Sequence, residues 1–142
     1  MKVIRSILAV LAGIAIAGAM IFAAEAAGQK LYPLPPGVDP RDVGALRAVI
    51  STLPAGAFVM VLIGWAAGTF AGGFLAAFIA RRAPNFHALI VGGIMMAGAI
   101  ATMIELPHPV WVWIVGLLLF VPAALLGASL VRRKGAAAAR TS

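Results

Sequence analysis

The chain has 142 residues, 63% hydrophobic and 11% charged, and its 11 Lys and Arg against 4 Asp and Glu give a formal charge of +7. Soluble domains carry roughly a quarter of their residues charged, and a chain this short has too little interior to hide so much apolar surface. Lipid is the expected solvent. The lack of cysteine excludes a disulfide framework, thiolate catalysis and cysteine-based metal sites.

A membrane-crossing helix needs about 20 apolar residues at about 1.5 Å each. The first stretch that meets this covers about 3–27. It also has the outline of a secretory signal, with a basic start, an apolar run and Ala24-Glu25-Ala26 as a small-x-small site. Its apolar run exceeds the usual signal core of about 7–15 residues and carries small residues at packing spacing, so retention is expected. The long connection 28–54 follows. Tyr32-Pro33-Leu34-Pro35-Pro36-Gly37 cannot continue a helix, because proline removes donors and restricts the residue before it. Asp39-Pro40 then reads as a cap with proline in the first helical position. Val43, Leu46, Val49, Ile50 and Leu53 recur at helical spacing, which predicts a short amphipathic helix over 40–53 on the outer membrane face or over the bundle.

Further spans are predicted over about 55–80, 87–104 and 110–131. Their borders are marked by Arg81-Arg82 with Pro84, by Glu105 with Pro107, and by Arg132-Arg133-Lys134. The fold class is therefore an all-α membrane protein: one domain over 1–134, a four-transmembrane-helix bundle, with a disordered cytoplasmic tail over 135–142. Lys2, Arg5, Arg81, Arg82 and Arg132 to Lys134 fall on one side. The positive-inside rule places that side, with both termini, in the cytoplasm. Trp111 and Trp113 stand at the outer start of the last span, where an aromatic belt is expected. The basic residues form no continuous face, so no nucleic-acid partner is expected. The bilayer itself is the first partner.

Gly64, Gly68, Gly72, Ala76 and Ala80 follow at intervals of four in the second span. In lipid, helices associate through close van der Waals approach, which small residues permit. Gly13, between Ala9 and Ala17, repeats the pattern in the first span, as do Gly93, Ala97 and Ala101 in the third. These residues are the expected helix-packing positions, within the bundle or in a homo-oligomer or larger membrane complex.

Chemistry-bearing groups are few. Glu25 lies near the outer end of the first span, and Glu105 and His108 flank Leu106-Pro107 on the same side, which makes these three the candidate outer polar cluster. Glu-x-x-His spacing binds metal when both residues share a helix face, but Pro107 and Pro109 break that helix. No metal, no cofactor and no catalytic set is expected, because no nucleophile-and-base constellation or phosphate-cradling loop appears.

Ala24-Glu25-Ala26-Ala27-Gly28 resembles the acidic motif in the first helix of small multidrug resistance transporters, which implies substrate or proton binding at Glu25. The sequence departs from that family in the outward position of the Glu, the long following loop and the lack of its other motifs. Tyr32-Pro33-Leu34-Pro35-Pro36, Trp65 with Gly68, Gly72 and Gly73, and Pro107-His108-Pro109-Val110-Trp111 make nearly the whole chain resemble small four-span bacterial inner-membrane proteins with no assigned activity. The expected function is a non-enzymatic packing, accessory or self-associating membrane subunit. A small transporter or channel using the outer Glu/His cluster is the alternative, followed by an enzyme acting on lipid.

Overall fold

A computed structural model describes the backbone over residues 2–140 and the side chains over 3–132. The chain is all-helical: α1 (Lys2–Leu31), α2 (Val43–Val49) with a 3-10 turn at Ile50–Thr52, α3 (Ala55–Ala80), α4 (Pro84–Glu105) and α5 (Val110–Arg140). Among the described residues α1, α3, α4 and α5 are long and apolar enough to cross a membrane. This is a multi-pass membrane protein built as a four-helix bundle.

Local chemistry sets the boundaries. α1 runs past its expected end to Leu31, because Glu25, Gln29 and Lys30 are good helix formers. It stops where Pro33 disfavours helical geometry at Tyr32. α2 starts later than the sequence predicts. Asp39 is taken up in a turn, its Oδ1 accepting from Arg41 N at 2.9 Å and its carbonyl from Asp42 N at 3.1 Å. The cap is Asp42, whose Oδ1 accepts from Gly44 N and Ala45 N at 2.8 and 3.1 Å. α3 has the predicted bounds and ends on Arg81, whose φ of 59° is left-handed. α4 begins earlier than predicted, with Pro84 at its start. The backbone of α5 continues to Arg140. The side chains of the tail expected over 135–142, and Thr141 and Ser142 altogether, lie outside the described residues.

α3 is the central helix and packs against α1, α4 and α5. Gly64, Gly68 and Gly72 face α1. A methyl added to them would lie 2.8 Å from Ala24 Cβ, 2.7 Å from Ala17 O and 2.6 Å from Gly13 O. Gly13 answers from α1: its added methyl would stand 2.7 Å from Gly72 O and 3.0 Å from Ala76 Cβ. Toward α5, Gly73 approaches Ala124 O to 2.6 Å on the same measure, Gly127 meets the backbone of Phe70, and the Trp65 ring covers Gly116. Such approach is what holds helices together where lipid gives no hydrophobic drive.

In α4 the buried small residues are Ala88, Gly92 and Ala99. Gly93 and Ala97, expected to pack within the bundle or against another chain, are exposed in the single chain, and a methyl at Gly93 would meet nothing within 4 Å. Adjacent residues point about 100° apart on a helix, so Gly92 takes the inward place against Ala124 and Gly93 looks out.

Two glycines separate these environments experimentally. Gly68→Ala pushes a methyl onto the α1 backbone and is expected to cost about 1–3 kcal/mol. Gly98→Ala meets open space and is expected to gain up to about 1 kcal/mol of helix propensity. Unfolding of both variants in mixed micelles measures this; equal stabilities would refute the close α1–α3 crossing.

Candidate functional site

The helices alternate in direction, so the bundle has two ends. The terminal end carries the start of α1 and the Arg81-Arg82 turn. The loop end carries α2, the end of α1 and the turn between α4 and α5. A cavity of about 380 Å³ lies at the loop end. α1 and its extension bring Glu25, Gln29 and Tyr32 to its wall, α3 brings Phe58 and Trp65, and the α4–α5 turn brings His108. Leu46 and Ile50, from the apolar stripe of α2 and its 3-10 turn, close part of its rim.

His108 is fixed by its own turn. Its Nδ1 lies 2.8 Å from Leu106 O. That bond requires the proton on Nδ1, so the neutral ring presents Nε2 as an acceptor. The imidazole meets Phe58 edge-on at 5.7 Å between ring centroids and lies tilted against Trp65 at 6.5 Å. Trp65 in turn contacts Phe120 at 5.6 Å and sits over Gly116, which gives the indole a rigid seat.

Of the three residues expected to form the polar cluster, the structure brings Glu25 and His108 to one cavity. The Glu105 side chain is exposed and does not line it. Its main chain has a different part: Arg47 Nε donates to Glu105 O at 2.7 Å. This bond ties α2 to the C-terminus of α4, where a cation also complements the helix dipole.

Among the described residues lining the cavity, Glu25 is the only charged one; no lysine or arginine is present. The arrangement is a ligand-sized concavity with apolar and aromatic walls and a few converging polar groups, the usual make-up of a binding site. The single carboxylate and the ring faces suit positive charge. Among the described residues no group of three or more His, Asp or Glu could hold a metal.

Gln29, Tyr32 and Phe58 were not evident from the sequence. Gln29 and Tyr32 reach the site only because α1 continues past its apolar run, and the Tyr32 phenol covers Gly56 across the connection. No family model, curated protein or solved structure matches the chain.

Arg47→Met removes the tie between α2 and α4. Amide hydrogen exchange over 43–52 is expected to rise about fivefold, the loss of roughly 1 kcal/mol from one hydrogen bond, with α3 and α4 unchanged. Unaltered exchange would show that the bond does not hold α2.

Proposed function

We propose that the chain is a non-enzymatic integral protein of the bacterial inner membrane, with both termini cytoplasmic. It acts as a packing or accessory subunit that associates with a second copy or within a larger membrane complex. The observation that supports this is the outward face of α4. Gly93, Ala97, Gly98 and Ala101 are exposed there, and methyls at Gly93 and Gly98 would meet nothing within 4 Å. Small residues offer lipid chains little contact, yet they let another helix approach closely. Gly64, Gly68, Gly72 and Gly73 of α3 are already occupied by α1 and α5 and are not available for this.

Energy transfer between donor- and acceptor-labelled copies in vesicles tests the proposal. Wild-type protein is expected to associate, and Gly93→Leu with Ala97→Leu to weaken association about tenfold or more, the loss of roughly 1.4 kcal/mol of packing. Leu118→Phe, on an exposed position of α5, serves as the control and should leave it unchanged. A protein monomeric at every density, with no co-purifying partner, would remove this function.

A second function, a small transporter or channel, is favoured by the cavity that Glu25 and His108 share. Proteoliposomes loaded for proton, sodium or potassium flux are then expected to show transport that Glu25→Gln abolishes. No flux of these ions, or flux indifferent to that substitution, dismisses it.

A further inference from the structure

The terminal end of the bundle carries a second concavity. α1 and α4 meet at Gly13, whose added methyl would lie 2.9 Å from Val91 Cγ2. Toward the terminal end a crevice of about 350 Å³ opens between them. Ile7, Val10 and Leu11 form its α1 wall, and Phe86, His87 and Ile90 its α4 wall. From Ser6 to Gly13 the helix rises about 10 Å, a third of a typical hydrocarbon core of about 30 Å. The crevice is too small for another helix, which is about 10 Å across. A single acyl chain is slender enough to enter it.

Positive charge gathers at the same end of the bundle. Arg5 directly precedes the α1 wall, and its Nε donates to Ile79 O at 2.7 Å, which holds the guanidinium at the end of α3. Arg81 and Arg82 form the turn that leads into α4. That helix opens with Ala83 as its cap and no side-chain hydrogen bond, so its partial positive charge is left uncompensated beside Phe86 and His87. All four carboxylates of the chain, Glu25, Asp39, Asp42 and Glu105, belong to the loop end. Among the described residues, no acidic side chain stands at the terminal end.

We infer that the crevice holds one acyl chain of an anionic phospholipid, its phosphate seated among Arg5, Arg81, Arg82 and the first turn of α4. Apolar walls account for the chain, and the arginines account for the charge. A soluble phosphate would use only the second feature.

Native mass spectrometry of the full-length protein, titrated with phosphatidylglycerol or with phosphatidylcholine of the same chains, tests this. One phosphatidylglycerol per chain is expected to be retained about tenfold more tightly than phosphatidylcholine. Paired Arg81→Gln and Arg82→Gln should reduce that retention by about fivefold per arginine and leave phosphatidylcholine unaffected. Leu11→Trp fills the crevice and should abolish the one-to-one adduct, whereas Leu8→Trp, exposed on α1 and outside the crevice lining, should preserve it. Should Leu11→Trp fail to fold, the arginine pair still decides, because it leaves the crevice intact. Equal retention of the two lipids, an adduct that survives Leu11→Trp, or equally tight retention of glycerol 3-phosphate would overturn the assignment.

Discussion

The bundle depends on one contact, the point where Gly13, Gly72 and Val91 meet. Each glycine presents its α-carbon to the other's carbonyl, and Val91 closes the third side at 2.9–3.0 Å from where either methyl would be. No residue larger than glycine allows α1 and α3 this approach, and in lipid such approach is the main source of association. A methyl at either position must push a backbone away, which a flexible side chain cannot relieve. The crossing therefore fixes where α1 lies relative to the other helices.

The two concavities follow from that crossing. Past the ends of the close contact, which runs from Gly13 and Gly72 to Ala24 and Gly64, the helices diverge, and the space left must be filled or remain open. Toward the termini α1 and α4 separate into the crevice lined by Ile7, Leu11, Phe86 and Ile90. Toward the loops the cavity among α1, α3 and the α4–α5 turn is bordered by Trp65, His108 and Tyr32 and is partly roofed by Leu46 and Ile50. Charge divides along the same axis. The carboxylates stand at one end, together with Lys30, Arg41 and Arg47, and the Arg81-Arg82 turn with Arg5 at the other, so the terminal opening is the more basic of the two.

The four spans could be read from the sequence because lipid imposes length and apolarity together, and α3 has the bounds its composition predicts. The spacing of Gly64, Gly68 and Gly72 identified one face of α3, but spacing does not name the neighbour. That requires the α1 backbone in place. In α4 spacing alone does not say which face turns inward, since Gly92 and Gly93 are adjacent and both faces carry small residues. Periodicity has no contrast to work with there. The site was half legible: Glu25 and His108 stand out as rare polar groups, whereas Phe58 and Trp65 look like any apolar residue of a span. Asp39 and Asp42 were equally good caps by type, and only the turn that consumes Asp39 leaves Asp42 to start α2.

The same crossing bears on the choice between the two proposed functions. A path for an ion through one copy would have to run from the loop-end cavity toward the termini. The direct line between α1 and α3 is shut at Gly13 and Gly72, where each backbone carbonyl stands 2.6–2.7 Å from a methyl that is not there. A water molecule has no room at that point. The spans offer almost no polar groups to replace an ion's hydration, which transport ordinarily requires near the middle of the membrane. Conduction along that line would therefore need a separation of α1 from α3, whereas a path between copies could follow the outward face of α4. The first would sacrifice the contact on which the bundle depends. The second rests on the association proposed for the accessory subunit, and the cavity by itself supports binding rather than passage.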